Sequence, residues 1–194
     1  MKTLDYYNNN AKAFVDGTVN ANMEEHYKQF VKYLNDGAKV LDFGCGSGRD
    51  SLAFQKMGYE IVAVDGSEEV CKEAKVQTGI DVKCMFFEEL AFLEEFDGIW
   101  ACASLLHVEK SAMKNILIKV SNALNKSGIF YCSYKYGKEE RISNGRLFSD
   151  YTEKDIPELF KDTGMECKEW WISRDVRPDR ADEKWLNIVA VKRV

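Results

Sequence analysis

Short, nearly continuous apolar runs alternate with longer amphipathic stretches over most of the chain. Five of the apolar runs predict strands, at residues 40–43, 61–64, 82–86, 98–103 and 129–133. Between them, apolar positions at helical spacing predict helices at 49–57, 68–77 and 110–124. Strands that are apolar along their whole length are typical of a parallel sheet covered on both faces. The pattern therefore predicts a three-layer, Rossmann-like α/β fold.

A further amphipathic helix is predicted ahead of the first strand, over residues 22–35. Asn22 can cap its N-terminus, and its apolar positions keep the helical period until Asp36-Gly37 ends it. His26 stands among charged residues on this helix and is predicted to lie on the surface.

The end of the chain departs from the alternation of strands and helices. Thr152, with Asp155 three residues later, is typical of a capped helix start, and Gly164 ends that helix. Two strand-like runs follow at 167–173 and 185–191. The connection between them is too short for a helical crossover, so we expect them to pair antiparallel. The predicted sheet is thus mostly parallel, with its last strand antiparallel.

Length and composition limit the kinds of protein that the chain can be. Its 194 residues fit a single domain, with an N-terminal lid and helix at 1–36 and a core at 37–194 that ends in a β-hairpin. The formal charge of −5 weighs against nucleic acid as a partner. No apolar run is long enough to span a membrane, and the N-terminus lacks the apolar centre of a signal peptide. We therefore expect a cytoplasmic protein that acts on small molecules.

Cysteine usage gives no sign of a metal or disulfide framework. The six cysteines form no CxxC pair and no zinc-like spacing, and several stand inside apolar runs. We expect reduced core thiols and no metal site.

Residues 40–48, VLDFGCGSG, carry the most informative motif of the chain. An apolar strand passes through Asp42 into three glycines spaced two apart, which suits a turn with positive φ or a close approach of backbone to a ligand. Asp65 ends the next predicted strand, where a parallel sheet places a carboxylate beside a ribose. Together they indicate a nucleoside cofactor.

Two cofactor classes fit a glycine turn followed by an acidic strand end. Dinucleotide-binding folds use GxGxxG, whereas this turn is GxGxG and is followed by Arg49 and Asp50. Carboxylates on both sides of the turn, Asp42 and Asp50, do not suit an anionic pyrophosphate. They suit a cationic, zwitterionic ligand such as S-adenosylmethionine better.

With these motifs the chain resembles the class I S-adenosylmethionine-dependent methyltransferases over nearly its whole length. The markers are VLDFGCGSGRD at 40–50, VAVDGS at 62–67, EFDGIWACASLLHV at 95–108 and the helix that ends in LNKSG at 124–128. That family has a seven-stranded sheet with an antiparallel last strand. The resemblance implies that Gly44, Cys45 and Gly46 line the methionine moiety, that Asp42 helps to hold its ammonium and that Asp65 takes both ribose hydroxyls.

The resemblance also places Gly66 and Ala103 at the cofactor. Many relatives carry an Asp after strand three that binds the adenine amino group, but this chain has Phe86-Phe87-Glu88. We expect the backbone amide of Phe87 to meet adenine, and the sequence leaves open whether Glu88 replaces the missing carboxylate.

Methyl transfer needs alignment of nucleophile, methyl and sulfur more than it needs a metal or a covalent intermediate. His107, just beyond strand four, is the candidate for deprotonating or orienting an acceptor, or else it only borders the cofactor. Tyr7 and Phe14 belong to a segment that either closes over the cofactor or anchors a terminal helix. Arg174 and Arg177, in the turn of the last hairpin, are candidates for binding an anionic acceptor, unless neighbouring acids neutralise them.

The acceptor class follows mainly from what the chain lacks. After strand four there is neither the Asn/Asp-Pro-Pro-aromatic run of amino methylation of DNA bases nor the Cys after Pro of cytosine C5 methylation. The charged loop from Lys135 to about Asp150 is a candidate acceptor flap. The compact chain is similar to small-molecule methyltransferases of the tellurite-resistance and thiopurine type. The alternatives are a nicotinamide-dependent oxidoreductase on a related fold and a non-catalytic S-adenosylmethionine-binding module, and the oligomeric state is open.

Overall fold

A computed structural model describes residues 2–194, with the side chains of all of these except Lys2 and Asp179. Met1, the first residue of the predicted lid, lies outside the described residues. The helices are α1 Lys2–Thr18, α2 Glu24–Val31, α3 Arg49–Lys56, α4 Glu68–Thr78, α5 Lys110–Ala123 and α6 Ile156–Phe160. The strands are β1 Lys39–Phe43, β2 Glu60–Asp65, β3 Val82–Cys84, β4 Phe96–Ala101, β5 Leu124–Lys135, β6 Glu140–Ser143, β7 Arg146–Ser149, β8 Met165–Arg174 and β9 Lys184–Lys192.

A seven-stranded sheet in the order β3-β2-β1-β4-β5-β9-β8 forms the middle layer. Strands β1 to β5 are parallel, and the last strand, β9, runs antiparallel between β5 and β8. Side chains of α2 and α3 pack on one face, and those of α5 and α6 on the other. Because both faces are covered, consecutive residues such as Val40 and Leu41, which point to opposite faces, are equally buried. The predicted fold class is confirmed, whereas the assignment of 1–194 to one domain stays a prediction.

Aromatic packing fixes α2 against the sheet. The rings of Trp100 and Tyr131, on neighbouring strands, stack with centroids 3.8 Å apart, and Phe30 of α2 lies 5.2 Å from Trp100. Gly98 makes this approach possible, since a Cβ there would stand 2.8 Å from the Phe30 ring. Because Gly98 has no side chain, α2 can pack closely against the sheet at this position.

The prediction that His26 lies on the surface is wrong. Its side chain is 9% exposed, and its Nε2 lies 3.3 Å from the hydroxyl of Ser173 on β8. The His26 ring also lies 6.1 Å from the ring of Trp171. Met23, directly before α2, and Phe30, within α2, are buried on the same side as His26. The charged residues next to His26 in sequence therefore do not show where its side chain lies.

Two predicted strands end earlier in the structure, for local reasons. β3 ends at Cys84 and not at Phe86, because the Phe86 amide donates to the Glu89 carboxylate at 2.8 Å and begins a 3₁₀ turn. β4 ends at Ala101 and not at Ala103, because Ala103 has φ 51°, which no strand allows. In both places the chain leaves the strand at the carboxyl edge of the sheet.

A separate two-stranded antiparallel hairpin, β6 with β7, was not expected from the sequence. It forms within the loop that was predicted as a charged flap. Asn144 and Gly145 make its turn with φ 49° and 77°, the left-handed pair that Asn-Gly accommodates well. The hairpin extends over the carboxyl edge of the sheet, opposite α1.

Among the described residues, no helix has the length and apolar character needed to cross a membrane.

Candidate active site

A cavity of about 600 Å³ lies at the carboxyl ends of β1, β2, β4 and β5. Thr3, Leu4 and Tyr7 of α1 close it from one side, and Arg146 and Phe148 of β7 from the other. Its volume falls in the range of about 300–1,000 Å³ that is usual for small-molecule sites. The cavity has two halves, one along the glycine turn and one below the β6–β7 hairpin.

The glycine turn after β1 depends on backbone geometry that other residues adopt poorly. Gly44, Gly46 and Gly48 have φ of 85°, 54° and 73°. A Cβ on Gly44 would stand 2.4 Å from the Cβ of Ser104, in the loop after β4. Glycine is therefore needed at position 44 for two reasons, the positive φ of the turn and the close packing of the loops after β1 and β4.

Asp65 ends β2 and lines the cavity. One carboxylate oxygen accepts from the amide of Gly46 at 3.0 Å, and the other accepts from the amide of Ser67 at 2.9 Å. Burial raises the pKa of Asp65, and backbone hydrogen bonds oppose this rise. Each carboxylate oxygen can accept a further hydrogen bond, so the group is placed to bind two vicinal hydroxyls.

Asp42 does not line the cavity. It is 1% exposed, and its carboxyl accepts from the hydroxyl of Ser51 on α3 at 2.6 Å. Burial, with the nearby charge of Asp50, raises the pKa of Asp42. The role that the resemblance implies for Asp42, holding an ammonium group, stays a prediction. The glycine turn lies between the Asp42 carboxyl and the cavity.

Asp50 is buried in a network behind the same turn. Arg49 contacts its carboxylate through Nε at 2.6 Å and through Nη2 at 3.0 Å. Tyr27 donates to it at 2.5 Å and Trp100 at 2.8 Å. Burial opposes its charge, but Arg49 and these donors lower the pKa of Asp50. The charge is thus fully paired and ties α2, α3 and β4 together.

The far end of the cavity along β2 and β3 is apolar with one acidic residue. Gly66, Phe86, Phe87 and Glu88 line it. The Phe87 ring packs edge to face on Phe43, with centroids 4.9 Å apart. Flat aromatic walls and a nearby carboxylate fit a purine base, and the contact of the Phe87 amide with adenine stays a prediction.

Ala103 borders both halves of the cavity. Its φ of 51° is unusual for a residue with a side chain, and its amide donates to the hydroxyl of Ser133 at 2.8 Å. Next to it, the hydroxyl of Ser104 donates to the carbonyl of Phe43 at 2.7 Å. Hydrogen bonds on either side of Ala103 therefore hold the strained residue in place beside the glycine turn.

Tyr7 and His107 meet across the cavity, with Oη and Nε2 2.8 Å apart. The Nδ1 of His107 lies 2.6 Å from the carbonyl oxygen of Leu147 on β7. A carbonyl only accepts, so Nδ1 carries the proton and Nε2 accepts from the Tyr7 hydroxyl. Burial lowers the pKa of His107 to about 4, and the charge of Arg146 acts in the same direction. The ring is thus neutral at pH 7, with an acceptor nitrogen that faces Tyr7.

The two arginines that the sequence suggested for an anionic acceptor both border the cavity. Arg177 forms a two-point ion pair with Asp175, with distances of 2.9 and 2.8 Å. Arg174 has a side chain 71% exposed and lies 4.0 Å from Asp182. The neutralisation that the sequence left open is thus observed for Arg177.

Several residues that line the cavity were not predicted from the sequence as site residues. Arg146 stands in a stretch predicted as a solvated flap, and His26 was expected on the surface. Asn187 on β9 connects the hydroxyls of Tyr131 and Ser173 at 2.8 and 3.0 Å, and lines the same half of the cavity. The Asn-Gly pair at 144–145, a turn signal, was the one available clue to the position of Arg146.

Comparison with known proteins agrees with this geometry. A family model described as a methyltransferase domain matches residues 40–128, slightly less than half of the chain. Among solved structures, 1,6-didemethyltoxoflavin-N1-methyltransferase of Burkholderia thailandensis, with bound 1,6-didemethyltoxoflavin and S-adenosylhomocysteine, is similar at a TM-score of 0.77 and 23% identity. The match covers 98% of this chain and 85% of that one.

Curated relatives match over shorter stretches. An uncharacterized methyltransferase of Staphylococcus carnosus is 28% identical over 121 residues, which are 58% of each protein. The ubiquinone biosynthesis O-methyltransferase of a Bradyrhizobium species is 33% identical over 89 residues, which are 42% of this chain and 35% of that protein. The chain thus spans between about a third and six tenths of the length of these relatives.

The fold and the sequence match both point to one class of protein. Residues 40–128 match the model of a methyltransferase domain, and the chain has the fold of the S-adenosylmethionine-dependent methyltransferases. S-adenosylmethionine is the cofactor of that class, and the cavity fits it: Asp65 offers two acceptor oxygens where a ribose would lie, and Phe86 and Phe87 offer apolar walls for a base. The described residues hold no group of three or more His, Cys, Asp or Glu side chains suited to a metal ion. The closer similarity to the tellurite-resistance and thiopurine type stays a prediction.

Proposed function

We propose that the protein transfers a methyl group from S-adenosylmethionine to a small-molecule acceptor by in-line displacement. The observation that carries this proposal is the continuity of the cavity. The half beside Asp65 and the half beside His107 form one space of about 600 Å³ under α1 and the hairpin. Cofactor and acceptor would meet where the halves join, beside Ala103.

The enclosure of the second half supports a small acceptor. Besides the Tyr7–His107 contact, the hydroxyl of Thr3 accepts from the amide of Leu147 at 3.0 Å. The Thr3 contact joins α1 to β7, and the Tyr7 contact joins α1 to the turn after β4, so both close the cavity beside the hairpin. The methyltransferase of Burkholderia thailandensis, which shares the fold, has 1,6-didemethyltoxoflavin and S-adenosylhomocysteine bound.

In this proposal the chain contributes alignment, exclusion of water and a place for a proton. S-adenosylmethionine, when bound, supplies an electrophilic methyl on a sulfonium. Asp65 and the glycine turn hold its nucleoside and methionine parts, while α1 and β7 shield the site from water. The Nε2 of His107 is an unprotonated acceptor nitrogen, and Tyr7 stands between it and the cavity. A proton leaving the acceptor can pass to Nε2 directly once Tyr7 moves aside, or through the Tyr7 hydroxyl.

The test begins with calorimetric titration of S-adenosylhomocysteine and, separately, NADH. We expect the former to bind and the latter not to; tight binding of NADH alone would favour the oxidoreductase alternative. Methyl transfer from labelled S-adenosylmethionine to a panel of thiols, oxyanions, amines and carboxylates then separates an enzyme from a binding module. In the same assay, an undiminished rate in His107→Gln would show that His107 is not the base.

A further inference from the structure

Arg146 is a cation that faces the cavity from the first position of β7. Its guanidinium lies 4.3 Å from the ring centroid of Tyr6 and 5.2 Å from that of Phe148. The two rings, on different elements, hold the guanidinium at the junction of α1 and the hairpin. Stacking of this kind orients a guanidinium. Burial raises the pKa of Tyr7, and a hydrogen bond and the charge of Arg146 oppose this rise, so the guanidinium also lies beside the Tyr7 hydroxyl.

No acid neutralises Arg146 among the described side chains. No described carboxylate lies within 4.0 Å of its guanidinium, and its Nε is buried without a hydrogen-bond partner. The other arginines at the cavity have acids within that distance, as Arg49 has Asp50 and Arg177 has Asp175. On the adjacent strand of the hairpin, Arg141 is paired with Asp150.

A buried, unpaired donor on a cation is costly, and the aromatic rings offset only part of that cost. An anion in the cavity would remove it, since guanidinium binds carboxylates and similar oxyanions through two parallel hydrogen bonds. Arg146 is adjacent in sequence to Leu147, whose carbonyl holds His107 at 2.6 Å. An anion bound by Arg146 would therefore lie close to the Tyr7–His107 pair.

We propose that Arg146 binds an anionic group of the acceptor, so that the substrates are small molecules with a carboxylate or a comparable oxyanion. This inference rests on the proposed function, and assigns to Arg146 the role that the sequence suggested for Arg174 and Arg177. Arg146 is then a specificity residue, which selects the acceptor by charge and presents its nucleophile towards the sulfonium side of the cavity.

Calorimetry on the full chain saturated with S-adenosylhomocysteine tests the inference, with benzoate, phenyl phosphate and the neutral benzamide as probes. We expect at least one anion to bind saturably and more tightly than benzamide. Arg146→Gln should weaken that binding about 10- to 100-fold, the usual loss for a charged hydrogen bond. Arg146→Lys, which keeps the charge without the planar fork, should give an intermediate value.

Arg141→Gln is the matched control, since Arg141 is on the same hairpin but is paired and lies outside the cavity lining. It should bind the anions as the wild type does, and thermal unfolding of each variant reports whether the hairpin is intact. Equal affinity for benzoate and benzamide, no saturable anion binding, or equal losses in Arg141→Gln and Arg146→Gln would overturn the inference. Failure to bind S-adenosylhomocysteine would instead count against the proposed function.

Discussion

At the scale of single residues, the two aspartates of the motifs have separate surroundings. Asp65 lines the cavity and already accepts two backbone hydrogen bonds, whereas Asp42 is enclosed behind the glycine turn against Ser51. The sequence suggested both as cofactor ligands because each follows an apolar run. Only the positions of their side chains separate a group that can touch a ligand from one that supports the turn.

Substitution of these two aspartates tests that distinction. Asp65→Asn should weaken S-adenosylhomocysteine binding about 10- to 100-fold, because a charged acceptor of the ribose hydroxyls is lost. Asp42→Asn should cause a much smaller loss, since the Asp42 side chain does not line the cavity. Isothermal calorimetry measures both, with thermal unfolding as the check on folding. Equal losses would support the direct ammonium contact that the resemblance implies for Asp42.

At the scale of elements, α1 and the β6–β7 hairpin form the cover of the cavity. Helical geometry breaks at Asn10, with φ −124° and ψ 16°, and the first part of α1 carries Thr3, Tyr7 and Asn8. Asn8 accepts from the hydroxyl of Ser67 at 2.6 Å, next to Asp65. Helix α1 is therefore attached beside Asp65 through Asn8 and beside His107 through Thr3 and Tyr7, and these hydrogen bonds have to break for ligand exchange through that side.

Loss of one of these bonds should speed ligand release. Tyr7→Phe removes the donor to His107 and should raise the dissociation rate of S-adenosylhomocysteine about 3- to 10-fold, the effect of one hydrogen bond. Tyr6→Phe is the matched control, because the Tyr6 hydroxyl makes no hydrogen bond to a described residue and its ring is retained. Stopped-flow fluorescence of the tryptophans follows the release. Equal rates in the two variants would argue against the Tyr7 contact as a latch.

At the scale of the whole molecule, the packed core and the buried titratable groups determine how stability depends on pH. His107 has a pKa lowered by burial from 6.5 to about 4. The unfolded chain therefore binds more protons than the folded chain between these values, and this residue costs stability as the pH falls from 6.5 towards 4. Asp42 changes the stability in the opposite direction. Burial raises its pKa, so its contribution to the free energy of unfolding is lost as the pH rises. The two effects partly cancel in the wild type.

Comparison with His107→Gln isolates the histidine contribution. Between pH 7 and pH 4 the wild type should lose on the order of 3 kcal/mol of unfolding free energy relative to the variant, since each pKa unit corresponds to about 1.4 kcal/mol. Urea unfolding at a series of pH values measures the difference. A constant difference across this range would mean that His107 is not buried in its neutral form.

Patterns that depend on neighbours in sequence predicted the sheet, its reversed last strand and the glycine turn. Strand periodicity, connection length and glycine backbone freedom are local properties, so residues 40–48 and Asp65 could be interpreted without coordinates. His26, Arg146 and the β6–β7 hairpin could not, because their surroundings come from parts of the chain far away. Ser173 lies 147 positions from His26, and Leu147 lies 144 positions from Thr3.

The sequence by itself thus determined the fold class and the kind of cofactor, because both follow from short segments whose backbone geometry is restricted. Only the tertiary structure decided the arrangement around the acceptor. It buried Asp42, neutralised Arg177, joined Tyr7 to His107 and left Arg146 facing the cavity without an acid among the described side chains. Whether a charge is paired depends on long-range packing, and no local pattern encodes that packing.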